Sequence, residues 1–185
     1  MTVDRHVALL RGINVGRAKR VAMADLRGLC EELGYRNVRT LLNSGNVVFS
    51  ASRGATAAIA AAIEKAIVAR FGFSAAVVVV TAKELEAIVA ADPLSKVAAN
   101  PSRYLVAFVS DRSKLANTRQ LSAQNWAPEA LALGQRAGYL WCANGINESK
   151  LALAFYRATR EAATMRNWAT VLKLRALAQP QEKKQ

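Results

Sequence analysis

The sequence predicts a mixed α+β protein of two tandem halves that share one element order, βαββαβ, each closed by an additional helix. Three observations carry this expectation. Apolar runs of strand length alternate with stretches of helical period, the two halves pass through the same seven elements, and a polar, proline-bearing segment separates them.

In the first half, HVALLRGI is apolar enough for a buried strand, and the polar NVGRAKR connects it to the first helix. MADLRGLCEELG sets Met23, Leu26, Leu29 or Cys30, and Leu33 on one helical stripe, with Gly34 where a helix-ending glycine is expected. NVRTLLNSGNVVFSA reads as a β-hairpin, because Asn43-Ser44-Gly45-Asn46 is a turn signal between two apolar runs. The Ala-rich stretch Thr56–Arg70 is a helix with Ile59, Ile63 and Ile67 in register, ended by Gly72. SAAVVVV lacks polar alternation, as a strand covered on both faces does. Thr81 and Glu84 form a capping-box pattern for the helix AKELEAIVAA, which stops before Asp92-Pro93.

The second half repeats the order. RYLVAFVS is a strand and KLANTRQLSAQ a weaker helix; EALALG and AGYLWCA flank a turn from Gly134 to Gly138. SKLALAFYRATREA is a helix, Ala163–Arg166 a short strand, and WATVLKLRALA the closing helix. The order βαββαβ is the ferredoxin-like plan. The halves are expected at 1–93 and 102–178, with a linker at 94–101 and a frayed tail at 179–185.

Composition narrows the function classes. An apolar fraction of 52% marks a globular chain. No apolar run approaches the roughly 18 residues that cross a bilayer, and the N-terminus has no signal-peptide pattern, so a cytoplasmic protein without a membrane partner is expected. Cys30 and Cys142 are too few for a disulfide framework and read as core cysteines. The 26 Lys and Arg against 13 Asp and Glu give a net charge of +13, spread along both halves. Such a field favours polyanions, although an Arg-rich proteome gives the same composition.

Enzyme machinery is missing. The single histidine, His6, has no Ser or Cys placed beside it for nucleophilic catalysis. Zinc spacing is absent, and no cofactor is indicated. Gly12 and Gly16 enclose only three residues, which fits neither the P-loop nor the dinucleotide fingerprint. The carboxylates show no acid/base spacing, and most fall on exposed helix faces.

Four polar clusters fall at strand ends or helix starts: Arg11, Asn14 and the loop cations Arg17, Lys19 and Arg20; the hairpin residues Asn43, Ser44 and Asn46; Asn144, Asn147, Ser149 and Lys150; and Arg166, Asn167 and Thr170 around Trp168. The third has a mechanism, because a helix N-terminus offers free N–H groups and a positive dipole end to an anion, with Lys150 adding charge. Its ordinary alternative is capping by Asn147 or Ser149. Turn chemistry and capping are the equivalent alternatives for the hairpin and for Arg166-Asn167-Trp168. The ligand-binding candidates are therefore Arg11, Asn14, Ser44, Asn46, Asn144, Ser149, Lys150, Arg166 and Asn167. Tyr104 and Phe108 share one strand face, and Tyr139 and Trp141 another beside it; they either stack RNA bases or form core.

The segments LLRGINVG (Leu9–Gly16), MADLR (Met23–Arg27), SGNVVF (Ser44–Phe49), NGIxxSKL (Asn144–Leu151) and RNWxTVxKL (Arg166–Leu174) together resemble the domain-of-unknown-function family 1697, which is mostly bacterial, over about residues 1–178. The resemblance implies a duplicated ferredoxin-like fold and no established activity. Arg17, Asn147-Glu148, Met165 and Ala169 depart from its usual pattern. The leading expectation is non-catalytic binding of an anionic partner, a nucleic acid or a phosphorylated small molecule. Its rivals are an enzyme for a small anionic substrate held by Arg, Asn and Lys, and a protein–protein module.

Overall fold

The computed structural model describes residues 3–16, 18–52 and 54–179. The chain divides into two compact units, one holding the segment up to Glu86 together with that from Lys173, the other Ala87–Leu172.

The first unit follows the expected order: β1 (Val3–Leu10), α1 (Met23–Glu32), β2 (Arg36–Leu41), β3 (Asn46–Ser52), α2 (Thr56–Phe71) and β4 (Val77–Thr81), then α3 (Ala82–Ala91). Its antiparallel sheet has the order β2-β3-β1-β4. The strand expected from His6 onward lies earlier in the chain, because Gly12 (φ 70°) and Asn14 (φ 56°) turn the backbone away after Leu10. Alternation decides the faces. Ala8, Leu10, Val47, Phe49, Val77 and Val79 pack against Leu26, Leu29 and Cys30 of α1 and Ile59, Ile63 and Ile67 of α2. Phe49 lies between Tyr35, at 4.5 Å, and the buried His6, at 5.7 Å. The capping box forms as spaced: the Thr81 Oγ1 accepts from the Glu84 N–H at 3.1 Å, and the Thr81 N–H donates to Glu84 Oε2 at 2.9 Å.

The second unit repeats the plan with β5 (Tyr104–Val109), α4 (Ser113–Ala116), α5 (Arg119–Ser122), β6 (Ala130–Leu133), β7 (Ala137–Trp141), α6 (Lys150–Thr159) and β8 (Ala163–Asn167), then α7 (Trp168–Ala178). The sheet order is β6-β7-β5-β8. The helix expected over 114–124 is instead two four-residue pieces. Thr118, fully buried, turns its hydroxyl back onto the Leu115 carbonyl at 2.7 Å, and such local bonding competes with helix propagation. The expected junction at 94–101 is a run of turns. The compact units part elsewhere, within α3 and α7, because the ends of these helices are bound into the units. The Ile88 carbonyl accepts the Tyr139 hydroxyl at 2.7 Å, and the Leu177 carbonyl accepts Arg5 Nη2 at 3.0 Å. Of the expected tail, residues 180–185 lie outside the described residues.

The four aromatics do share one sheet face, since Tyr104 pairs with Trp141 and Val106 with Tyr139. Three of them are interior: Tyr104 is 2% exposed, Tyr139 1% and Phe108 fully buried, leaving only the half-buried Trp141, so this face offers no stacking platform for bases. Tyr104 stacks on Trp168 at 4.8 Å and donates to Asp92 Oδ1 at 2.9 Å. Burial raises the pKa of both phenols, that of Tyr139 to about 12, because the phenolate would lose its water. The folded state therefore prefers the neutral phenols. Their contribution to stability is intact below about pH 10, the ordinary tyrosine value, and is lost as pH rises through about 12. Denaturant unfolding across that window should show falling stability, and Tyr139→Phe should flatten the slope. Phenolate absorbance for both residues near pH 10 in folded protein would contradict the burial argument.

No helix among the described residues is long and apolar enough to cross a membrane. Cys30 and Cys142 are both buried and free.

Candidate functional site

The β1–α1 loop is held by one side chain. Asn14 sits in the left-handed region at φ 56°, and its amide bridges three backbone groups. Nδ2 donates to the Val21 carbonyl at 2.9 Å and to the Asn43 carbonyl at 2.8 Å, and Oδ1 accepts from the Val21 N–H at 2.9 Å. The loop is thereby closed on itself and tied to the β2–β3 hairpin. A second tie runs from the Leu10 N–H to the Gly45 carbonyl at 2.8 Å. Lys19, also left-handed, braces the far side, its Nζ donating to the Ser74 carbonyl at 2.8 Å and lying 5.9 Å from the Phe73 ring centre.

Between loop and hairpin lies a hollow of about 390 Å³, lined by Asn14, Arg20, Val21, Ala22, Met23 and Asn43. It opens at the start of α1. The N-cap there is Ala22, with no side-chain acceptor, so the first-turn N–H groups are left without a cap. Arg20 is exposed at the hollow. Backbone donors, a dipole end and a guanidinium thus converge on one space that Asn14, its amide protons committed to the loop and hairpin, holds open, an arrangement suited to an oxyanion.

The first two polar clusters of the sequence meet here, in altered roles. Asn14 builds the loop, and Arg11 stands half-buried at its start. Asn46 is fully buried and closes the hairpin, its Nδ2 donating to the Leu41 carbonyl at 2.8 Å and to Ser44 Oγ at 2.9 Å. Arg17 lies outside the described residues. Asn14→Ala should cost about 2 kcal/mol, because three bonds are lost and the left-handed backbone loses a residue that tolerates it. Thermal denaturation would measure this, and an unchanged melting temperature would show that the loop is held some other way.

The third and fourth clusters do not form one site within the second unit. Ser149 is the cap of α6, its Oγ accepting from the Ala152 N–H at 2.9 Å. The Leu151 N–H is taken by Glu129 Oε2 at 3.1 Å, so the anion at this helix start is the chain's own carboxylate. Lys150 and Asn144 are exposed. Asn167 caps α7, accepting from the Thr170 N–H at 2.9 Å. Arg166 pairs with Val106 and so faces the tyrosine side of the sheet, whereas Leu105 and Met165 face α6 and the space beside Lys150. The Arg166 Nη1 donates to Thr164 Oγ1 at 2.9 Å and to the Met165 carbonyl at 2.8 Å, and burial lowers its pKa to about 10. Capping and packing account for most of the polar residues in these two clusters. The sequence held no signal for Glu129, which reaches its partner across 22 residues of chain.

A family model described as "Protein of unknown function (DUF1697)" matches residues 3–139. No curated protein matches the chain. Among solved structures, a conserved bacterial protein, SP0830 from Streptococcus pneumoniae, is similar at a TM-score of 0.78 and 23% identity. The alignment covers 96% of this chain and 100% of that one, and at this identity it establishes the fold alone.

Proposed function

The chain belongs to the DUF1697 family, whose description assigns no activity, and from the geometry of its first unit we propose that it binds a phosphate-bearing anion, a nucleic acid or phosphorylated small molecule, at the hollow beside α1. The observation that carries this reading is the hollow of about 390 Å³ in which an uncapped helix start meets exposed Arg20. The net charge of +13 supports it, since a positive protein raises the local concentration of anions. Binding is favoured over catalysis because the lining residues are amide, guanidinium and apolar groups, none able to accept a proton at neutral pH.

Fluorescence anisotropy with a labelled single-stranded oligonucleotide, and calorimetry with pyrophosphate and a mononucleotide, test the reading at low salt. Arg20→Ala should weaken every phosphate-bearing ligand about tenfold, the worth of one charge-assisted hydrogen bond. With the oligonucleotide it should reduce the salt slope by about one. Tight oligonucleotide binding with weak pyrophosphate binding identifies a nucleic acid as the partner; the reverse identifies a small phosphorylated molecule. The proposal fails if no probe binds, or if Arg20→Ala binds all three like the parent.

A further inference from the structure

The two halves share a topology but differ in how the second main helix meets the sheet. In the first unit the 16-residue α2 lies along the edge strand β4. In the second, the corresponding α6 has 10 residues and does not lie along β8 in the same way. A cavity of about 530 Å³ opens between them, within the range of small-molecule sites. Its walls include Leu105 and Met165 from the strands, Ile146 before α6, and Leu153 and Tyr156 on it. Leu153 is 49% exposed and Tyr156 51%, so two large apolar side chains of one helix face are left open to water here.

The rim of this cavity carries one charge of each sign, Glu148 and Lys150, both exposed. A pure anion would meet Glu148, and a pure cation Lys150, so a singly charged ligand faces a like charge whichever way it enters. A zwitterion satisfies both. The Leu151 and Ala152 N–H groups in the first turn of α6 are already taken by Glu129 and Ser149, so the Lys150 ammonium is the group for a ligand carboxylate. The body of the ligand must be apolar to cover the partly buried Ile146 and the exposed Leu153. The Tyr156 ring and the Met165 thioether both favour an aromatic neighbour. We propose that the slot between α6 and β8 binds a zwitterionic amino acid with an aromatic side chain, its carboxylate at Lys150 and its ammonium at Glu148.

Ligand-observed NMR titration of the full chain with L-phenylalanine tests this, with 3-phenylpropionate, which lacks the ammonium, and 2-phenylethylamine, which lacks the carboxylate, as controls. Phenylalanine should bind about fivefold or more tightly than either control, since each control forfeits one charge pairing. Lys150→Ala should weaken phenylalanine and phenylpropionate while phenylethylamine, relieved of a like charge, binds as well or better, and Glu148→Ala should do the converse. Both side chains are exposed, so neither variant threatens the fold. No saturable binding of phenylalanine would overturn the proposal. So would phenylpropionate or phenylethylamine binding as tightly as phenylalanine, or affinities unmoved by both substitutions.

Discussion

Gly45→Ala is expected to destabilise the protein by about 3 kcal/mol or more, and in whatever remains folded to weaken phosphate binding, although Gly45 does not line the hollow. Two costs combine. Gly45 adopts φ +74°, where a Cβ costs roughly 1–2 kcal/mol. A Cβ built there would stand 2.8 Å from both Leu10 Cβ and Ile13 Cδ1, and overpacking of this kind typically costs about another 1–3 kcal/mol. Neither neighbour can retreat, since Leu10 and Ile13 are 1% and 3% exposed. Relief must come from moving the hairpin away from the loop, which stretches the bond from the Leu10 N–H to the Gly45 carbonyl and that from Asn14 to the Asn43 carbonyl. Those two ties shape the hollow. Urea unfolding reads the stability change, and pyrophosphate calorimetry reads the site. A midpoint within about 0.5 kcal/mol of the parent would show that the contact at Gly45 is looser than its geometry states.

The fold was legible because its determinants are local and periodic. Ile59, Ile63 and Ile67 announce the buried face of α2, Thr81 and Glu84 announce the start of α3, and Ser44-Gly45-Asn46 announces the hairpin. Where a competing bond is also local, as at Thr118, the sequence still contains the answer, but propensity alone weighs it too lightly. The site was less legible, for a different reason. Its polar residues were found, yet their partners are backbone groups brought close only by the fold. Asn14 bonds a carbonyl 29 residues away, and Glu129 an N–H 22 residues away; neither bond leaves a pattern in the chain. The resulting hollow owes its chemistry to Ala22, a residue notable only for what it cannot do as a cap. Strand parity was readable: Met165 and Arg166 are consecutive on β8, so they face opposite sides of the sheet. What parity cannot say is which side α6 covers, and that decides whether Arg166 or Met165 meets Lys150.

Gly138→Ala is expected to cost about 2–3 kcal/mol by a mechanism that a second substitution can reverse. Gly138 on β7 pairs with Ala107 on β5, and these two small residues seat the Phe155 ring of α6, which is fully buried. A Cβ at Gly138 would lie 2.6 Å from Phe155 Cζ and 2.8 Å from Cε2, so the ring must leave its seat or α6 must lift from the sheet. Phe155→Leu alone should destabilise by leaving the seat underfilled. Combined with Gly138→Ala, the shorter side chain makes room for the new methyl, and the double variant should be at least about 1 kcal/mol more stable than the sum of the single effects implies. Denaturant unfolding of the parent, both single variants and the double variant closes this cycle. Because α6 also walls the amino-acid slot, Gly138→Ala should weaken phenylalanine binding, and Phe155→Leu in that background should restore part of it. Strict additivity in the unfolding cycle would mean that ring and glycine do not share the same space, and would remove the account of how α6 is seated on its sheet.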